Sequence, residues 1–163
     1  MAIIILGAVV AAILGYALFR AQDKYYRQRG VKIEQKAIAG LSLPPSWEIH
    51  PNRPVPGLGD ADILILSPEG KSWVVEIKSY EGAKKAPFSF FATHEIVRPN
   101  GQRFERDPIK QVQAVAKYLE AKPVLWLPKA RSRRRFETRS GVLVVQGKPA
   151  QLEQAIGARS SWL

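Results

Sequence analysis

Residues 57–80, GLGDADILILSPEGKSWVVEIKSY, restrict the possible folds of this chain more than any other stretch. Two runs rich in β-branched residues, 61–66 and 72–79, flank a Pro-Glu-Gly turn and read as adjacent strands. Along the first, Ile63 and Ile65 face one way while Asp62, Leu64 and Leu66 face the other. Both runs are apolar on both faces for part of their length. That pattern belongs to interior strands of a sheet covered on two sides.

The remaining elements supply the cover. Residues 21–41 have helical composition, with Gly30 as a candidate break between a membrane helix and a domain helix at 31–39. A short strand is expected at 47–50, then a Pro/Gly-rich loop at 51–59. Pro87, Phe88, Phe90 and Phe91, followed by 95–97, suggest an aromatic hairpin. Asp107-Pro108 is a helix start, with Asp as N-cap and Pro in the first helical position. Ile109, Val112, Ala116 and Leu119 recur at helical spacing as far as Glu120. Strands at 124–127 and 142–145, a basic loop at 129–135 and a helix at 149–156 complete the order. The expected class is α/β, a mixed central sheet flanked by helices.

The chemistry sits where the two strands meet. Asp60 and Asp62 open the first strand, and either could be a ligand. Glu76 and Lys78 close the second on one face, with Ile77 on the other. Paired carboxylates hold a hard divalent cation, and a nearby ammonium steadies a nucleophilic water or a phosphate oxygen. Metal-dependent phosphodiester cleavage needs that set. His50 and His94 are isolated, and without cysteine they make no zinc site.

The first 19 residues, MAIIILGAVVAAILGYALF, carry no charged side chain. As a helix they span about 28 Å, close to the hydrocarbon thickness of a bilayer. No basic residue precedes the run and no persuasive cleavage site follows it, which favours an uncleaved anchor over a signal peptide. Expected divisions are a transmembrane helix at 1–19, a basic juxtamembrane linker at 20–30 and a domain at 31–163. Arg20, Lys24, Arg27 and Arg29 follow the span, so the positive-inside rule places the rest of the chain in the cytoplasm. Of the net charge of +11, this flank supplies +3, four bases against Asp23, and the remaining +8 belongs to the domain. A surplus of that size attracts polyanions, either nucleic acid or an anionic membrane surface.

Together these residues resemble the nuclease-related domain (NERD) of the PD-(D/E)XK, or restriction-endonuclease-like, nuclease superfamily. The resemblance runs from about Gly30 to Ile156. The helix Glu of that family is matched by Glu34 in GVKIEQKAIAG, although the usual Gly before it is Ile33 here. Its strand-opening Asp is matched by Asp62, its Glu-x-Lys by Glu76 and Lys78, and its helix start by DPIKQ, Asp107 to Gln111. The resemblance implies that Asp62 and Glu76 hold Mg²⁺ (or Mn²⁺), with the Ile77 carbonyl as a further ligand. Lys78 would orient water or stabilise the transition state. Gln111 would hold Lys78 or a water, and Glu34 would be another ligand. Their plainer readings are a solvated helix residue for Gln111, a partner of Lys32 or Lys36 for Glu34, and a helix cap for Asp107. The implied substrate is nucleic acid, with DNA expected. A module of the same fold that binds nucleic acid or membrane without cutting is the alternative.

Overall fold

The structure, a computed structural model, describes residues 2–86 and 95–159, and for residues 2–12, 23, 26 and 27 the backbone alone. The aromatic segment with Pro87, Phe88, Phe90 and Phe91, and His94 beyond it, lies outside the described residues. The chain divides into two compact units, Met1–Ile33 and Glu34–Leu163.

The first unit is helical. Helix α1 runs unbroken from Ala2–Ala39, so its last turns belong to the second unit. The linker expected at 20–30 is helix, and Gly30 does not interrupt it. A single glycine costs a helix only about 1 kcal/mol, which its helix-forming neighbours offset. Ile13, Leu14, Leu18 and Phe19 are exposed on α1. The span expected at 1–19 falls largely on residues whose side chains lie outside those described. Among the described residues no helix is long and apolar enough to cross a membrane.

The second unit is built on a six-stranded mixed sheet. Its strands are β1 (Glu48–Val55), β2 (Gly59–Leu66), β3 (Ser72–Ile77), β6 (Lys122–Leu127), β7 (Arg135–Glu137) and β8 (Leu143–Gln146). A separate two-stranded pair joins β4 (Lys84–Lys85) to β5 (Ile96–Val97). The order across the large sheet is β1-β2-β3-β6-β8-β7. The antiparallel run β1-β2-β3 meets the parallel run β3-β6-β8, and β7 closes the far edge antiparallel to β8. The mixed α/β architecture follows the sequence pattern, and β2 and β3 are interior strands as expected.

Strand β1 is longer than the sequence suggested. The expected loop at 51–59 is strand as far as Val55, with Pro51 opposite Ile63 and Pro54 opposite Asp60. Proline is tolerated there because β1 is an edge strand, where a missing N–H need not break a ladder. The expected basic loop likewise ends in a short strand, β7, whose exposed arginine hides the pattern.

Two apolar layers cover the sheet. Helix α2 (Pro108–Tyr118) lies over one face, where Ile109, Val112 and Val115 pack with Val74 and Leu125. Its start is as expected: Asp107 accepts from the Ile109 N–H at 3.0 Å. On the other face Leu152 and Ile156 of α3 (Pro149–Ile156) pack with Ile63, Val75, Ile77 and Trp126. Trp126 is core, fully buried, and its indole N–H donates to the Gly147 carbonyl at 2.8 Å. The end of α1 joins this layer through Ala37. Just beyond it, the Ser42 N–H donates to buried Glu153 of α3 at 2.7 Å. Gly40 permits the approach, since a Cβ there would meet the Pro149 ring at 3.0 Å.

Candidate active site

The site forms where β2 and β3 part. Their paired residues run from Leu66↔Ser72 to Ile63↔Val75. One step further the ladder gives way to a side chain: Asp62 Oδ2 accepts the Ile77 N–H at 2.6 Å. On the opposite edge of β3 the Lys78 N–H donates to the Trp126 carbonyl of β6 at 3.0 Å. An extended residue directs its N–H and C=O to the same edge. The Ile77 carbonyl therefore faces the edge from which Asp62 reaches in.

Side-chain alternation separates the polar from the apolar groups. Ile77 packs into the α3 layer, while Val74, two residues before Glu76 on the same face, packs into the α2 layer. Glu76 and Lys78 thus lie on the α2 face. Glu76 is 2% exposed, and its Oε1 lies 2.5 Å from Lys78 Nζ, whose side chain keeps 28% of its exposure. The Lys78 side chain is thus partly exposed at the end of the sheet while its partner stays inside.

Electrostatics join three acids at this point. Burial pushes the Glu76 carboxyl up to about 7, and the charges of Asp62 and Glu34 add to that against the attraction of Lys78. Asp62 is also raised, first by burial, despite the Ile77 N–H and Lys78. Glu34 is raised by burial and by Asp62. Lys78 is pulled down by burial, but Glu76, Asp62 and Tyr80 outweigh it and hold the ammonium above its ordinary range. Three carboxylates resist ionisation beside one cation, so the set carries more potential negative charge than it can neutralise. A divalent cation suits such a donor set. Among the described residues no three acids or histidines are grouped closely enough to hold a metal by themselves. Asp62, Glu76 and the Ile77 carbonyl are the groups that could hold an ion here.

The structure therefore draws Asp62, Glu76, Lys78 and Glu34 into one electrostatic group. Asp60 is exposed and touches the group only by raising Asp62. Gln111 is exposed in the first turn of α2, and no hydrogen bond joins it to the acids or to Lys78 among the described residues. His50 pairs with Glu48 on the exposed edge strand, apart from the site.

Two residues were missed in the sequence. Tyr80 continues the period of two from Glu76 and Lys78, and that periodicity could have revealed it. It acts on Lys78 electrostatically and stacks on Phe104 at 4.5 Å between centroids. Gln146 ends β8 buried, and its amide clamps Ala83: Oε1 accepts from the N–H at 3.2 Å and Nε2 donates to the carbonyl at 2.7 Å. No sequence signal marks that pairing, which spans 63 residues.

No curated protein and no solved structure gives a significant match to the chain. The family of the nuclease-related domain, NERD, matches residues 29–146, a stretch that contains every group of the site from Glu34 to Gln146. The chain belongs to the nuclease-related domain family.

Proposed function

We propose that the protein is a membrane-anchored, Mg²⁺-dependent nuclease that hydrolyses phosphodiester bonds of DNA on the cytoplasmic side. The observation that carries this reading is that Asp62 accepts the Ile77 N–H where β2 and β3 part, with the Glu76–Lys78 pair on either side of that residue. Asp62, Glu76 and the Ile77 carbonyl would hold the ion. When bound, Mg²⁺ (or Mn²⁺) supplies Lewis acidity and neutralises charge on the phosphate. Lys78, kept charged by Glu76 and Asp62, donates hydrogen bonds to the attacking water or to a non-bridging phosphate oxygen. Glu76 orients Lys78 through their short contact. Glu34, near the end of α1, would be a further ligand to the metal or to a water. Gln111, on the helix covering the same face, would join them only once substrate supplies a bridging group.

The test uses the full-length protein in mild detergent, with DNA and RNA substrates in Mg²⁺, Mn²⁺ or chelator. Cleavage is expected with metal, and its loss in Glu76→Gln and Lys78→Ala. Equal cleavage by wild type and both variants would overturn the assignment.

The anchor rests on the uncharged run at 1–19, the four bases after it and the exposed Ile13, Leu14, Leu18 and Phe19. Exposed apolar side chains on a helix need cover, and lipid provides it. Retention in membranes washed with alkaline carbonate is expected, and release into the wash would remove the anchor. The domain surplus of +8 also favours a second reading, a module that binds nucleic acid or an anionic membrane without cutting. Salt-sensitive binding with no cleavage under any divalent ion would select it, and failure to bind at low salt would exclude it.

A further inference from the structure

A half-open groove of about 400 Å³ lies between residues 79–82, which directly follow Lys78, and residues 98–100. Tyr80 and Arg98 both line it. Tyr80 stacks on Phe104, and the Arg98 guanidinium lies 5.8 Å over the same Phe104 ring. Arg98 Nε is buried and has no hydrogen-bond partner among the described residues. The Arg98 side chain is half-buried in the wall and pairs with no acid among the described residues, so an anion in the groove would supply the missing counter-charge.

A second cavity of about 490 Å³ shares the walls Glu81, Gly82 and Pro99 with the first. It adds Lys84, Arg131 and Arg134, which are exposed and pair with no acid among the described residues. The shared wall is fixed to the sheet by the Gln146 amide, which also accepts from the Ser132 hydroxyl at 2.8 Å. Gly82 is required there: its φ is +154°, and a Cβ would meet Gln146 Oε1 at 3.1 Å and the Pro99 ring at 3.3 Å. A fixed floor, one acid and four bases lead away from Lys78.

We infer that the two joined cavities form a track for the phosphodiester backbone on one side of the cleaved bond, with Arg98 on the phosphate nearest Lys78 and Arg131, Arg134 and Lys84 on those beyond. The inference rests on the nuclease reading for its direction. Cations placed this way position a strand and do not read its bases, so the track takes any sequence.

Binding of fluorescent DNA to the full-length protein in detergent and chelator, followed by anisotropy across a salt series, tests the track. Removing one phosphate-neutralising cation lowers the slope of log K against log salt by about 0.9 on duplex DNA or about 0.7 on a single strand. Arg98→Ala is expected to lower it by one such step and Arg131→Ala/Arg134→Ala by two. Lys71→Ala/Lys122→Ala removes equal charge at a cavity by the opposite end of β3 and is expected to leave the slope unchanged. An unchanged slope in the exposed Arg131/Arg134 variant, or an equal fall in the Lys71/Lys122 variant, overturns the track even if Arg98→Ala fails to fold. Metal-dependent cleavage is scored separately. Cleavage lost in Glu76→Gln with slopes insensitive to the arginines leaves the nuclease standing without the track. Slopes that fall as expected without any cleavage leave the track standing without the nuclease.

Discussion

Val74 and Glu76 stand two residues apart on the same face of β3, and both are buried, at 0% and 2% exposure. Val74 sits among Ile109, Val112 and Leu125, where removal from water is the stabilising term. Glu76 sits at the strand's end, where the same removal disfavours its charged form and only Lys78 offsets it. One half of the strand holds the fold together, and the other gives up stability to assemble charges. The first should tolerate changes that keep volume, and the second only those that keep charge and geometry.

The sharpest way to break that contrast is at Glu76. Glu76→Gln should lower cleavage by about 10² or more while costing little stability, because the amide carries no ionisation penalty and Lys78 can turn to solvent. A variant as unstable as a core truncation would erase the distinction. The opposite result is expected from Leu125, the residue paired with Glu76 on β6. Leu125→Ala should lose ~2–5 kcal/mol in denaturant unfolding, with cleavage per folded molecule unchanged.

A pH series sharpens the comparison further. With a folded value of about 7 against an ordinary 4.5, Glu76 binds its proton more tightly in the folded state. Its contribution is fully present below 4.5 and is lost as pH rises through about 7, a loss of roughly 3 kcal/mol. Asp62 and Glu34 act in the same direction. Denaturant midpoints measured in chelator should fall from pH 5 to pH 8, and Mg²⁺ should reduce the fall. A flat profile in chelator would contradict the buried-acid account. The smallest effect is expected away from both halves: Asp107→Ala removes the cap of α2 and should cost ~1 kcal/mol, read by thermal unfolding.

Local signals made part of this legible. Apolar runs on both faces of β2 and β3 marked interior strands, and Asp107-Pro108 marked the start of α2. Glu76 and Lys78 fell on one face by strand alternation alone. Other parts left weak traces. Pro51 and Pro54 obscured β1 because edge position, which excuses them, is a property of the whole sheet. Gly30 looked like a break because its cost is visible locally, although the helical composition of 21–41 on both sides of it carried the helix through.

Patterns of two and of 3.6 residues are written into consecutive side chains, so element type, the charge surplus and the polar end of β3 follow from the chain alone. Distances between segments are not written there. Folding chose Asp62 over Asp60 as the acceptor of the Ile77 N–H, brought Glu34 of α1 into the same field and left Gln111 apart. It also set Gln146 against Ala83 and Arg98 beside Tyr80. Those pairings depend on how sheets twist and layers pack, which is settled by the sum of many distant interactions and by no single stretch of residues.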